Sequence, residues 1–223
     1  GPIPPELGKL TNLTLLNLWN NSLTGEIPSE LAEINTMQVL QLFQNQLVGA
    51  IPQTLGKGGS MVRFDVSTNF LHGPVPPYLC DSMALTKLIF FSNNISGPIP
   101  GAYGGCDTLV RVRLSSNHLS GSVPEGLWSL PRMTILELFN NNLSGSISPS
   151  LGEASQLTTL NIWNNAFTGT LPPSIGSLSL LATLDASKNS LSGSIPTSLR
   201  SCHSLQTIKL QENGFTGPIP DIF

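Results

Sequence analysis

Arg111 and Arg113 flank a single valine in the run Leu109-Val-Arg-Val-Arg-Leu114. On an extended strand, residues two apart point to the same side, and two guanidinium forks held so can grip a carboxylate or another anion bidentately. Arg63 and Lys87 precede Arg111 in two steps of 24 residues, and Asp65 lies two residues beyond Arg63. Little else suggests chemistry. His72, His118 and His203 are scattered, with no nucleophile pattern near any of them, so no general-base or acyl-transfer centre is predicted. Three cysteines without a CxxC pair or a histidine cluster predict no metal site. Gly58-Gly59 reads as an irregular surface turn, not a phosphate loop. No cofactor and no enzymatic activity are predicted; the chemistry on offer is recognition.

The elements that must position these residues follow from a period. Asparagine recurs every 24 residues from Asn21 through Asn45, Asn69, Asn93, Asn117, Asn141, Asn165 and Asn189 to Asn213, each followed four residues later by glycine. Around each runs the pattern L-x-x-L-x-L-x-x-N-x-L-x-G-x-I-P, as in Leu13, Leu16, Leu18, Asn21, Leu23, Gly25, Ile27 and Pro28. Nine copies follow one another without insertion or deletion. Leu-x-Leu alternation predicts a short strand with one buried face, and one strand per turn stacks into a parallel sheet. The asparagine amide can bond backbone groups where the chain leaves the strand, and stacked copies form a ladder. Glycine then permits a tight bend, and Ile-Pro predicts an extended segment. Stretches such as Ser29 to Leu31 predict short 3-10 or helical turns on the convex side. The fold predicted is an α/β solenoid of nine 24-residue repeats, residues 1–223 forming one body stabilised by neighbour contacts. Neither end carries the polar capping unit that a solenoid needs, so the chain reads as the middle of a longer ectodomain.

Composition narrows the partners. Net charge is -3, which predicts no nucleic-acid partner and no direct membrane contact. The longest apolar runs are far shorter than a bilayer span.

Five positions per repeat project from the inner strand onto the concave face; in the first repeat they are Thr14, Leu15, Asn17, Trp19 and Asn20. These positions do no core packing, so bulky or charged residues there need a reason. Six of the ten Lys and Arg residues fall on them: Arg63, Lys87, Arg111, Arg113, Lys188 and Lys209. Arg63, Lys87 and Arg111 share one column in three successive repeats, with Arg113 beside them. Two readings stay open: an anion site, or a solvated basic face partly neutralised by Asp65. A second column, two residues before the asparagine, reads Trp19, Phe43, Ser67, Phe91, Ser115, Phe139, Trp163, Ser187 and Gln211. Five of these nine residues are aromatic in a chain that is 6% aromatic. Either the rings form a recognition surface, or they stack on one another. With the amides Asn17, Asn20, Gln41 and Gln44 alongside, the columns suit an extended peptide, whose backbone would bond the amides while its apolar residues rest on the rings.

The L-x-G-x-I-P form of the repeat resembles the plant-specific class of leucine-rich repeats found in receptor kinases, receptor-like proteins and polygalacturonase-inhibiting proteins. From Cys80 through Cys106 and Arg111-Val-Arg113 to Leu127-Trp-Ser-Leu-Pro-Arg132 the chain resembles the HAESA and HAESA-like branch of peptide-hormone receptor kinases. That resemblance implies a small secreted peptide hormone bound in extended form on the concave face. Arg111 and Arg113 would hold its C-terminal carboxylate, with Lys87, Arg63, Asp65, Trp19, Phe43 and Phe91 lining the groove. It also implies a shorter leucine-rich-repeat co-receptor kinase near the C-terminal repeats. The setting implied is the extracellular, apoplastic face of the plasma membrane, in a single-pass receptor whose kinase and membrane span lie outside this sequence. The alternative is a polygalacturonase-inhibitor-like or receptor-like defence protein that docks a microbial protein on a broad surface. The unbroken period speaks against a steroid receptor, which carries an insertion between repeats. A fragment with no ligand competence is a further alternative.

Cys80 and Cys106 fall in adjacent repeats, where a bridge is sterically open. Cys202 lies four repeats beyond Cys106 at the same phase, roughly 19 Å away and out of reach, so it reads as a small buried residue. Glycosylation sequons occur at Asn12, Asn20, Asn94 and Asn142, as expected of a secreted protein. A glycan on Asn20 would crowd the groove, so if the groove binds peptide, occupancy is least expected at that site.

Overall fold

In the computed structural model, which describes residues 1–221, the Leu-x-Leu segments form short parallel strands stacked in chain order. The nine inner strands are Leu15–Asn17, Val39–Gln41, Arg63–Asp65, Lys87–Ile89, Arg111–Arg113, Ile135–Glu137, Thr159–Asn161, Thr183–Asp185 and Thr207–Lys209. Each pairs with the next at a constant offset of 24 residues, as in Arg63↔Lys87 and Lys87↔Arg111. That register turns columns of the sequence into columns on a surface.

The middle residue of each strand faces inward, and Leu40, Phe64, Leu88, Val112, Leu136, Leu160 and Leu184 are all buried. Further apolar layers come from the leucine after the asparagine, such as Leu47 and Leu119, and from the convex side, such as Leu31 and Leu127. One repeat alone could cover none of these faces, so the core is continuous along the axis.

In the asparagine ladder each amide bonds backbone groups, as expected. Asn117 Nδ2 donates to the Phe90 and Leu114 carbonyls at 3.1 Å, while its Oδ1 accepts from the Ile95 amide at 2.9 Å. The other interior asparagines repeat this, joining each turn's backbone to the one before. The residue just before each asparagine sits in the left-handed region, for example Thr68 at φ 55° and Asn164 at φ 54°.

Past the asparagine the chain forms a second parallel sheet, where the sequence predicts only a bend and an extended segment. Seven strands compose it: His72–Gly73, Asn94–Gly97, His118–Ser122, Asn142–Ser146, Ala166–Thr170, Ser190–Gly193 and Gly214–Phe215. A separate pair, Thr24–Glu26 and Gln46–Val48, continues it toward the N-terminus. The recurrent glycine lies in or just beyond these strands at φ between +75° and +82°, a conformation that L side chains rarely adopt.

On the convex side the turns are 3-10 helices, such as Ser29–Glu33, Glu125–Trp128 and Thr197–Ser201. Most begin directly after a proline in extended conformation, which cannot itself join a preceding helix. Two convex turns, near 53–59 and 77–83, are not 3-10 helices. In the first, Gly56 and Gly58 take φ of +85° and +62°, which breaks the helical run. Neighbouring convex turns pack closely enough that a Cβ on Gly126 would fall within contact distance of the Gly104 backbone. Among the described residues no helix is long and apolar enough to cross a membrane.

Candidate functional site

The inner sheet brings Arg63, Lys87 and Arg111 side by side in consecutive strands, with Arg113 two residues along from Arg111. Adjacent strands lie about 4.8 Å apart, so the three backbones span roughly 10 Å. Arg63 and Arg111 are exposed and Lys87 is half-buried.

Arg113 is held on two sides. Its Nε donates to Glu137 Oε2 at 2.5 Å, and its guanidinium carbon lies 4.9 Å from the centre of the Phe91 ring. Glu137 is the register neighbour of Arg113 in the following strand. Ring and carboxylate together fix the plane of the fork, while its Nη groups make no hydrogen bond among the described residues. Glu137 is a partner that sequence reasoning missed. The signal was present, since the two residues stand 24 positions apart in one column.

Asp65 acts on the basic column only from a distance. Its Oδ1 accepts from the Ser67 amide at 3.1 Å and from the Ser67 hydroxyl at 2.6 Å, and it forms no ion pair among the described residues. Its register neighbours are Gln41 and Ile89, which carry no charge. Burial raises its carboxyl above the usual aspartate range, opposed by the Ser67 bonds and by the charges of Arg113 and Lys87. Lys87 is shifted down, by burial first and then by Arg63 and Arg111 on either side, with Asp65 opposing. Asp185 makes the same bonds to Ser187 but also has Lys209 at 3.7 Å.

Rings in the aromatic column do stack. Trp19 and Phe43 lie nearly parallel with centroids 5.1 Å apart, and so do Phe139 and Trp163 at 5.4 Å. Trp19 is nonetheless 45% exposed, and Leu15 beside it on the first strand is 53% exposed. Phe91 has no stacked ring and carries Arg113 instead. The concave face therefore runs from an open apolar platform at Leu15 and Trp19, past the basic column, to a second ring pair.

Cys80 and Cys106 are joined in a disulfide with Cα atoms 6.2 Å apart, on the convex side behind the basic strands. Cys202 is free and buried. Asn12, Asn20, Asn94 and Asn142 are all exposed; Asn20 faces the groove, while Asn94 and Asn142 begin strands of the second sheet.

Parallel strands, asparagine ladder and convex 3-10 turns define a leucine-rich-repeat solenoid. Leucine-rich-repeat family models match residues 12–34, 108–130, 132–154 and 155–215, more than half of the chain, and the chain belongs to the leucine-rich-repeat proteins. No curated protein sequence matches it.

Among solved structures it is similar to plant receptor ectodomains. The complex PEPR1–AtPEP1 matches at 38% identity and TM-score 0.96, over 100% of this chain and 31% of that one. The Arabidopsis receptor kinase HAESA, with an N-terminally extended IDA peptide hormone, matches at 38% identity and TM-score 0.88, over 98% of this chain and 41% of that one. A looser match is HAESA with IDA and the co-receptor SERK1, at 30% identity and TM-score 0.57, over 98% and 53%. The chain thus spans well under two thirds of these relatives, and equal identity to PEPR1 and HAESA does not single out a branch. A plant ice-binding protein also matches, at 28% identity and TM-score 0.83, over 98% of this chain and 70% of that one. One architecture thus serves different tasks, and function has to be argued from particular side chains.

Proposed function

We propose that the chain is the ligand-binding part of an extracellular plant receptor and recognises a secreted peptide hormone in extended form on its concave face. It acts as a recognition module and not as an enzyme. The observation that carries this reading is the pair Arg111 and Arg113. Among the described residues Arg111 has no ion pair and is exposed, while Arg113 is braced by Glu137 and Phe91 and its Nη groups make no hydrogen bond. A preorganised fork beside a free one is the arrangement a terminal carboxylate requires, because little side-chain entropy is lost when it docks. Arg-x-Arg on an inner strand is also what favours the HAESA-like branch within the receptor class. PEPR1 and HAESA, solved with peptide partners, support the peptide reading at the level of the whole concave face. By the same likeness, a shorter co-receptor ectodomain would dock near the C-terminal repeats, where Lys188, Lys209, Asp185 and Glu212 form a mixed-charge surface.

Isothermal calorimetry on a panel of hormone peptides such as IDA and AtPEP1, each as free acid and as C-terminal amide, tests the clamp. The free acid of a binding peptide should be at least tenfold tighter. Replacing both Arg111 and Arg113 by alanine should erase that preference, since each charge-assisted bond contributes about 1.5–3 kcal/mol. Equal affinities of acid and amide would sink the proposal.

A second reading rests on the other sheet. Register there sets Ser122 beside Ser144, Ser146 beside Thr168, and Thr170 beside Ser192, a regular array of hydroxyls at strand spacing. Such an array could order water, and the ice-binding relative has this fold. Thermal hysteresis of the chain in freezing buffer separates the readings: activity there, lost when Thr168 and Thr170 are changed to lysine, would favour the second.

A further inference from the structure

Among the described residues, three of the six cations on the concave face have ion-pair partners and three do not. Arg113 pairs with Glu137 at 2.5 Å, Lys209 with Asp185 at 3.7 Å and Lys188 with Glu212 at 3.8 Å. All three pairs join residues 24 apart, one repeat to the next. Arg63, Lys87 and Arg111 have no ion pair among the described residues, although they are direct register neighbours.

Nothing in the fold asks for them. The same column holds Leu15 and Val39 before the cations and Ile135, Thr159, Thr183 and Thr207 after them, the apolar and β-branched residues that a strand surface favours. Like charges directly opposite on neighbouring strands are destabilising. Asp65, the nearest acid, is turned to Ser67 and has no ion-pair contact with them. Burial and the two flanking guanidiniums depress the Lys87 amine, in keeping with charges held together against their own repulsion.

A peptide terminal carboxylate carries one negative charge. Seated on Arg111 and the braced Arg113, it compensates Arg111 and leaves Arg63 and Lys87 without an ion-pair partner. Those two lie one and two strand steps from Arg111, about 5 and 10 Å toward the N-terminal repeats. An extended peptide advances roughly 3.3 Å per residue, so they stand opposite the second or third residue before the peptide's last.

Building on the carboxylate clamp proposed above, we infer that the ligand is a peptide with two anionic groups. One is its C-terminal carboxylate; the other is an acidic side chain two or three residues earlier, seated on Arg63 and Lys87. The basic column is then a ruler that reads the distance between these charges. The open platform at Leu15 and Trp19 takes the apolar residues that precede them.

Oriented decapeptide mixtures test this on the 223-residue chain. One position at a time is fixed as aspartate, phosphoserine or asparagine, and every mixture is made as free acid and as amide. Selection should favour aspartate or phosphoserine over asparagine at least fivefold at the second or third position before the last, and nowhere else. In the Arg63→Ala/Lys87→Ala variant that preference should vanish while the preference for free acid remains. In Arg111→Ala/Arg113→Ala the reverse should hold. Preference for phosphoserine over aspartate identifies a modified residue as the second anion, and equal preference identifies a carboxylate; either supports the ruler. Absence of an acidic preference at those positions, or its survival in Arg63→Ala/Lys87→Ala, overturns the inference while the clamp stands. Loss of the free-acid preference in the unaltered chain overturns the clamp itself, and selection of no mixture overturns both. Because the two alanines remove repulsion from exposed or half-buried positions, the variant should unfold at no lower temperature than the parent, which separates lost recognition from lost folding.

Discussion

Asp65 shows how one side chain's first choice of partner shapes a surface. It stands among Arg63, Lys87 and Arg113, yet its Oδ1 is committed to the amide and hydroxyl of Ser67 two residues away. A local bond costs little entropy to form, whereas reaching across to flexible cations costs rotamer freedom on both sides. Burial therefore raises its pKa above the usual value of 3.8 instead of a salt bridge lowering it. A carboxyl with a raised folded-state pKa contributes stability that is fully present below the unfolded value and is lost as pH rises through the folded one. Asp65→Asn keeps an acceptor for Ser67 and removes the penalised charge. Its thermal unfolding midpoint should exceed that of the parent at pH 7, and the difference should close below about pH 3.8. Calorimetric scans at the two pH values measure this. The same substitution should tighten binding of any anion to the basic column.

At the scale of the element, the asparagine ladder holds the two sheets together. Asn117 satisfies the carbonyls of Phe90 and Leu114 and the amide of Ile95, all in surroundings closed to water. Alanine in its place would leave these groups unpaired at a cost of about 1–3 kcal/mol for each one that stays buried. Asn117→Ala should therefore lower stability by about 3 kcal/mol or more in chemical denaturation, and Asn117→Asp should not restore it, because a carboxylate cannot donate to the two carbonyls. The loss should exceed that of an end position such as Asn21, whose side chain is exposed and bonds only the Leu18 and Trp19 carbonyls. The ladder was legible from the 24-residue spacing. The second sheet it feeds was not, because Ser, Gly and Thr at alternate positions carry no hydrophobic alternation, and their pairing exists only once the repeats are stacked.

Across the whole molecule, each repeat touches only its neighbours, so stability is a sum of repeats and interfaces. The Cys80–Cys106 bridge spans one such interface, closing a loop with a sequence separation of 26. Loop-closure entropy for that length amounts to about 3.5 kcal/mol. The bridge lies behind the strands that bear Lys87 and Arg111 and so stiffens the part of the solenoid that carries the charges. Cys80→Ser/Cys106→Ser should lower the unfolding midpoint and raise hydrogen exchange first in residues 80–113, leaving the amides of the last two repeats unchanged. Uniform loosening along the chain would show that the repeats unfold as one unit.

By itself the sequence determined the solenoid, the register of its inner sheet and the membership of every concave column. An uninterrupted period leaves the identical inner strands only the 24-residue offset. It likewise put Arg63, Lys87, Arg111 and Arg113 on one face and the five rings in one file. Tertiary structure decided how each of those residues is engaged. Glu137 takes Arg113, Ser67 takes Asp65, and the rings pair off as Trp19 with Phe43 and Phe139 with Trp163. Among the described residues Arg63, Lys87 and Arg111 remain without ion pairs on the concave face. A column says who could meet, but partners are settled by competition among bonds a few ångströms long, and those distances exist only in the folded chain.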